Sequence, residues 1–287
     1  MKNNFFLLFF LFSLSVYCDP SIPDGFGGPI EQAMVLSKED QQKAFSRNTW
    51  KLLRIFYNRH IVDNFIYHEK PLIPKIIHHI WLGSPLPEKY RWFRETWKKN
   101  HPDWKFILWT DKDIENFGLE NKDLYDESEN YGVKADIARY EILYRIGGLY
   151  VDTDFECVRS FDVFHHCCDF YAGAAPWEHA LVYNSLIGSA PGHPVMRCCI
   201  DNLVSSGGKK ETGAEIDYRT GPYFLTRCFF SSVRDLGRPS VVFPAAYFFP
   251  WPHYMRDQDS RAEILKWVRP ETFGIHHWHV SWLKEDK

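Results

Sequence analysis

Between Lys75 and Glu156 the chain switches repeatedly between two hydrophobic periods. Apolar runs too short for a helix occur at Lys75–Gly83 (KIIHHIWLG), Trp104–Thr110 (WKFILWT) and Leu149–Val151, and they read as buried strands. Between them, Tyr90–Asn100 carries apolar residues at helical spacing, after a turn at Pro85 and Pro87. The stretch Tyr131–Glu156 (YGVKADIARYEILYRIGGLYVDTDFE) reads as a helix, a Gly147-Gly148 break and a short strand. Further strand-like runs follow at Phe170–Ala174 and Leu181–Gly188, and a helix at Pro194–Val204. This alternation predicts an α/β domain with a mostly parallel central sheet flanked by helices, spanning residues 73–287. Upstream, Ser37–Asp40 resembles a capping box. Helical spacing of Trp50, Leu53, Ile61 and Phe65 then predicts an N-terminal helical appendage, which with its linker covers residues 19–72. Gly207 and Gly208 mark a loop expected to be mobile.

Asp152 and Asp154 close the Leu149–Val151 strand. The C-terminal ends of strands are where open α/β sheets bind ligands. Residues i and i+2 of an extended segment point the same way, so both carboxylates can face one cation. A hard divalent ion held by one or two carboxylates and completed by phosphate oxygens is a common way to hold a nucleotide diphosphate. The spacing alone is weak, because Asp111/Asp113 and Asp257/Asp259 share it. Those two triplets lie among charged residues and read as solvated turns; only Asp152/Asp154 follows an apolar strand.

Composition narrows the classes. At 45% hydrophobic and 25% charged, 287 residues can bury a core. A net charge of −3 gives no basic field, which argues against nucleic acid as a partner. Aromatic residues reach 17%, with 11 Trp, which suits stacking on sugar rings as well as core filling. Residues 1–18 (MKNNFFLLFFLFSLSVYC) form a signal-peptide pattern, shorter than the ~20 apolar residues of a membrane span. The alternative is an uncleaved signal anchor, which would be the only membrane contact. The expected location is therefore a secretory lumen, a bacterial periplasm or the exterior. Cleavage after Cys18 leaves six cysteines without any CxxC, so disulfides and buried thiols both fit and structural zinc does not.

With IPKIIHHIWLG, NHPDWKFILWTD, KADIARYEILYRIGGLYVDTDFE, TGP at Thr220–Pro222 and HHWHVSW in that order, the chain resembles the DXD-type glycosyltransferases of family 32. These include fungal Golgi mannosyltransferases, α1,4-sugar transferases and capsular polysaccharide enzymes, and more distantly the clostridial glucosylating toxins. The resemblance covers roughly Ile73 to Trp282. It implies a GT-A fold, a nucleotide-sugar donor (a UDP-sugar or GDP-mannose), Mn²⁺ or Mg²⁺, and retention of anomeric configuration.

By the same resemblance Trp81 stacks on the nucleotide base, Asp136 and Arg139 grip the donor sugar and phosphates, and Tyr150 lies beside the donor. Asp152 reaches ribose and metal, Asp154 is the direct ligand, and Asn184 bonds near the sugar. His276 completes the metal shell, with His277 and His279 as alternatives, and Ser281 and Trp282 close over the diphosphate. Each has a plainer reading: a core Trp, a surface ion pair, strand packing or a turn. The expected reaction moves a hexose to a glycan, glycolipid or protein acceptor. Two rivals are an Asp-x-Asp phosphatase or phosphotransferase, and a non-catalytic nucleotide-sugar-binding module. Glu156 stands where the phosphatase pattern wants Thr or Val, which weakens the first.

Overall fold

The computed structural model describes residues 23, 26–34, 47–174, 181–233, 237–258 and 260–279. The N-terminal 22 residues, the Ser37–Asp40 capping box, Ser281 and Trp282 lie outside the described residues. None of the described helices is long and apolar enough to cross a membrane.

Among the described residues six strands form the central sheet: β1 (Ile76–Ile80), β2 (Lys105–Trp109), β3 (Gly148–Val151), β5 (Phe170–Ala174), β6 (Val182–Ser189) and β7 (Ser240–Phe243), in the order β2-β1-β3-β6-β5-β7. β1 runs parallel to β2 and β3, and β5 runs parallel to β7. β6 is antiparallel to both neighbours, so among the described strands it alone is reversed. β4 (Phe155–Cys157) and β8 (Gly274–His276) make a separate antiparallel pair.

Alternate residues feed two cores, one on each face of the sheet. Tyr150, Phe170, Ala172 and Val242 pack on one side; Leu149, Val151, Tyr171, Val241 and Phe243 pack on the other. The helix Tyr131–Ile146 covers the first face. It starts at Asn130, whose side chain accepts from the backbone N–H of Gly132 (2.7 Å) and Val133 (3.2 Å), an N-cap that satisfies two orphan donors. Its buried residues include Asp136, Arg139 and Glu141 as well as Val133 and Ile137, so it has no solvated face in its middle turns.

The Gly147-Gly148 break has a steric cause. Both residues have positive φ, +70° and +110°. A Cβ on Gly148 would lie 2.7 Å from the Ile76 carbonyl oxygen, and one on Gly147 would lie 2.6 Å from the Pro191 ring. Only glycine lets the helix drop directly into the sheet between these neighbours.

Two buried histidines of β1 tie the central strands together. The Trp109 indole N–H donates to His78 Nδ1 (3.1 Å), so His78 Nε2 carries the proton and donates to the Gly147 carbonyl (2.9 Å). His79 Nδ1 donates to the Val151 carbonyl (3.0 Å). Burial holds both rings neutral, lowering His78 to about 4 and His79 to about 3.

Two local expectations change. The helix Asp111–Phe117 begins at the first Asp-x-Asp triplet, where the Asp113 carboxylate accepts from Thr110 N–H (2.9 Å) and Asp111 accepts from Gly83 N–H (2.8 Å). That triplet caps a helix and pins a loop instead of decorating a turn. The Gly207–Gly208 turn, expected to be mobile, is anchored by Glu127, which accepts from Ser205, Ser206 and Gly208 N–H. The six described cysteines are free thiols, and only Cys198 is not buried.

Upstream of the sheet, the helix Asn48–Tyr57 runs into a π-helical turn at Asn58–Asp63. Trp50, Leu53, Phe56 and Tyr57 are all buried. Phe56 meets Phe229 edge-on at 6.0 Å, and the Tyr57 hydroxyl is 3.0 Å from that of Tyr247.

Candidate active site

β3 ends at Val151, and the backbone N–H of Asp152 donates to the Ser185 carbonyl of β6 (2.9 Å). Asp152, Thr153 and Asp154 then cross to β4 at the C-terminal edge of the parallel strands. There β4 pairs with β8 so that Phe155 faces His276. The His276 ring lies stacked on the Phe155 ring, with 4.8 Å between centroids and 10° between planes. One oxygen from each aspartate and one imidazole nitrogen thereby fall within 4.8 Å of one another. His276 Nε2 stands 3.3 Å from Asp154 Oδ1 and 3.9 Å from Asp152 Oδ2.

The donor set fits a divalent cation. His276 Nδ1 is buried and has no hydrogen-bond partner among the described residues. Nε2 faces two carboxylates. With the proton on Nε2 the ring donates toward Asp154; with Nε2 bare its lone pair can join the two carboxylates in holding a cation. Two carboxylate oxygens and a nitrogen also leave positions for phosphate oxygens on an ion of the magnesium or manganese type.

The backbone of the tail completes the surroundings. The His279 N–H donates to Asp154 Oδ2 (2.6 Å), and the His277 N–H donates to the Asp154 carbonyl (3.2 Å). Between them Trp278 adopts φ +57°, a strained value for a bulky residue. It is held there by its indole N–H bond to the Trp251 carbonyl (2.8 Å) and by packing on His276 at 4.2 Å. The His277 side chain turns away to Glu156 Oε2 (3.2 Å), which also accepts from Arg261. His276 is therefore the tail imidazole that joins the carboxylates, and Glu156 serves as its neighbour's partner.

The two aspartates are electrostatically unequal. Burial drives the Asp154 carboxyl upward, but His276 and the His279 N–H outweigh it, and its pKa ends below the usual carboxylate range. Burial raises Asp152, opposed chiefly by Arg139. The Asp152 side chain keeps 29% exposure, while that of Asp154 keeps 6%, so Asp152 is the one open to a ligand.

Behind Asp152 lies a buried network. The Tyr150 hydroxyl donates to Asp152 Oδ1 (2.6 Å), and Arg139 Nη1 stands 3.5 Å from the same oxygen. The Arg139 guanidinium lies 4.3 Å over the Tyr150 ring, donates to the Asn184 carbonyl (2.7 Å) and pairs with Asp136 (3.0 Å). Asp136 also accepts from Asn184 Nδ2 (2.8 Å) and Thr220 Oγ (2.7 Å). Burial pushes Asp136 up to about 6, against the pull of Arg139 and Thr220. With three donors from the protein, Asp136 has one lone-pair direction left for a ligand.

Asp136, Arg139, Tyr150, Asp152, Asp154, Asn184 and His276 all line one pocket of about 520 Å³. Trp81 also lines it; its indole N–H donates to Ser84 (3.1 Å) and its ring lies 4.8 Å from Tyr90. The structure therefore brings Trp81, Asp136, Arg139, Tyr150, Asp152, Asp154, Asn184 and His276 to one cavity. Sequence reasoning gave no role to Thr220, Tyr140, Trp278 or Asp217. Thr220 had a signal, since it opens the TGP motif. Tyr140, whose hydroxyl donates to the Thr220 carbonyl (2.6 Å), and Asp217 had none.

Fold and pocket together define a glycosyltransferase carrying an Asp-x-Asp motif. Residues 87–170 match the family described as "Glycosyltransferase sugar-binding region containing DXD motif". Over 272 residues the chain is 30% identical to inositol phosphoceramide mannosyltransferase 3 of Schizosaccharomyces pombe, covering 89% of this chain and 70% of that protein. It is 31% identical over 216 residues to inositol phosphoceramide mannosyltransferase 1 of the same yeast, covering 70% and 67%. The chain belongs to this family of DXD glycosyltransferases. A solved structure titled "PaToxG Glycosyltransferase" shares the fold at a TM-score of 0.50 and 17% identity, over 69% of this chain and 81% of that one.

Proposed function

We propose that the protein is a metal-dependent, retaining hexosyltransferase that moves mannose from a nucleotide donor to the head group of an inositol-phosphate sphingolipid, within the lumen of the secretory pathway. The observation that carries the reaction class is the convergence of Asp152, Asp154 and His276 at one end of a pocket whose wall holds the Asp136–Arg139 pair. Mannose and the lipid acceptor rest on the names of the two yeast relatives.

Asp152, Asp154 and His276 would hold Mn²⁺ or Mg²⁺, which when bound neutralises the diphosphate leaving group. Trp81, also in the pocket lining, provides an aromatic face for the nucleotide base. Arg139 sets positive charge beside Asp152, where negative charge grows as the glycosidic bond breaks. It cannot swing away, because Asp136, Asn184 and the Tyr150 ring hold it on three sides. Ser281 and Trp282 would add donors to the diphosphate from the tail. Asp136 and Asp154 already accept two or three protein hydrogen bonds or ion pairs, so neither is set up as a base or nucleophile. This favours front-face attack: the acceptor hydroxyl enters on the side the diphosphate leaves, and its proton passes to the departing phosphate oxygen.

The test is a screen of GDP-mannose, UDP-glucose, UDP-galactose and UDP-N-acetylglucosamine for hydrolysis with and without Mn²⁺, followed by transfer to inositol phosphoceramide in detergent. Mn²⁺-dependent turnover of GDP-mannose and an α-linked lipid product are expected. Hydrolysis of a phosphomonoester with no turnover of any nucleotide sugar would replace this proposal with the phosphatase alternative.

A further inference from the structure

Asp217 is a carboxylate of the pocket wall with no hydrogen-bond or ion-pair partner among the described residues. It belongs to the short helix Gly213–Arg219, which a Thr212–Glu215 capping box starts. The next turn carries Thr220, which bonds Asp136, and Gly221, which lines the pocket beside Asp217. A Cβ placed on Gly221 would stand 2.8 Å from the Asp217 Cα and 3.3 Å from its Oδ1, so a glycine here keeps that carboxylate uncovered. Asp217 is half-buried. Among the described residues no donor or cation reaches its oxygens. The other pocket carboxylates differ: Asp136, Asp152 and Asp154 each hold hydrogen bonds or ion pairs from the protein.

A half-buried carboxylate with open lone pairs is suited to receive hydroxyl groups, since each lost hydrogen bond to a charged acceptor is costly. Its place along the pocket narrows which hydroxyls. Asp217 lines the same pocket as Asp136, and Thr220, three residues on from Asp217, donates to the Asp136 carboxylate. Asp136 in turn is linked through Arg139 to Asp152 at the cation end. A diphosphate anchored at Asp152 and Asp154 therefore presents its sugar toward the Asp136–Asp217 wall.

Resting on the donor reading above, we propose that Asp217 is a sugar-specificity residue, accepting hydrogen bonds from hydroxyls of the transferred hexose. It is one of the contacts by which the enzyme tells one hexose epimer from another. The site takes the sugar, not the nucleotide and not the acceptor.

The experiment compares wild type with Asp217→Ala and Asp217→Asn, using Mn²⁺-dependent hydrolysis of the best donor from the screen, without acceptor. Inhibition by the free nucleoside diphosphate and thermal melting are read in parallel. Asp217→Ala is expected to raise the donor KM on the order of 10–100-fold and to flatten the preference between epimeric donors. Inhibition by the free diphosphate should stay unchanged, and Asp217→Asn should fall between. Unchanged donor hydrolysis in both variants, with loss only of transfer to the lipid, would overturn the assignment in favour of the acceptor. A fall in kcat at constant KM would overturn it in favour of proton transfer. Equal weakening of donor and free diphosphate, or a lowered melting temperature, would show a structural role and overturn it too. A wild type inactive on every nucleotide sugar would instead sink the donor reading itself.

Discussion

Phe155 and His276 are partners twice over: they are opposite residues in the β4–β8 pair, and their rings are stacked. The first follows Asp154 directly in sequence; the second supplies the imidazole that faces it. The pair therefore sets the distance between the acidic motif and the tail. Replacing Phe155 with Ala removes the surface against which the ring rests. Core Phe→Ala changes cost about 3–5 kcal/mol. A melting temperature lowered by several degrees and a higher Mn²⁺ requirement are expected together. A destabilised variant with an unchanged Mn²⁺ titration would separate packing from ion binding.

Asp154→Ala should cut turnover by about 10³ or more, at least ~4 kcal/mol of barrier. Circular dichroism should be preserved, because the variant also relieves a buried charge. Near-normal donor hydrolysis with Mn²⁺ present would count against the site.

His276→Gln keeps a polar side chain of similar reach but loses the ring nitrogen. The Mn²⁺ concentration giving half-maximal hydrolysis should rise on the order of tenfold or more, whereas kcat at saturating Mn²⁺ should fall less than in Asp154→Ala. A metal titration that overlays on wild type would remove His276 from the shell.

Stability should fall as pH drops below neutrality. His78, His79, His101 and His165 are buried, with pKa lowered by burial to about 4, 3, 4 and 3. His101 shows why: Nδ1 donates to the Trp97 carbonyl (3.0 Å) and Nε2 accepts from Phe161 N–H (2.8 Å), so only the neutral ring fits. A folded pKa below the unfolded 6.5 means the unfolded chain binds protons first. The neutral-ring stabilisation is full above pH 6.5 and is lost as pH falls from there toward about 4. Each ring costs roughly 2 kcal/mol by pH 5. Summed over four rings this rivals the net stability of a typical domain. Thermal melts at pH 7.5 and 5.0 test it; equal melting temperatures would contradict the sign.

Gly148→Ala should be among the most damaging small changes outside the pocket. The φ of +110° costs a non-glycine residue roughly 1–3 kcal/mol. The added methyl also meets the Ile76 carbonyl at 2.7 Å. Poor soluble yield or a strongly lowered melting temperature is expected, and a wild-type melt would refute the steric account.

Local pattern made much of this molecule legible. The strand at Leu149–Val151 and the helix before it show in the sequence because period and glycine are local properties. So do the limits of β2 and β5 to within a residue, while the β1 run reads on to Gly83, three residues past the strand's end at Ile80. The reversal of β6 does not show, since a buried strand reads alike in either direction. Nor does the pairing of Phe155–Cys157 with Gly274–His276, where the hydrogen-bonding partners are far apart in sequence. The same distance hid the bonds that Thr220 makes to Asp136 and to Tyr140, although the TGP motif marked Thr220 itself. Trp278 lies in the HHWHVSW motif, but its positive φ does not show in sequence because it is held by its surroundings, not by propensity. Asp217 lies in a polar stretch, where a pocket carboxylate and a solvated one look the same.

The β4–β8 clasp also orders events in time. A nascent chain that has emerged only as far as β7 already holds the acidic pair but no imidazole to face it. If the three side chains hold an ion as proposed, its capture at full strength waits until the ribosome has delivered β8. A half-made polypeptide can fold most of its sheet and still be unable to spend an activated sugar.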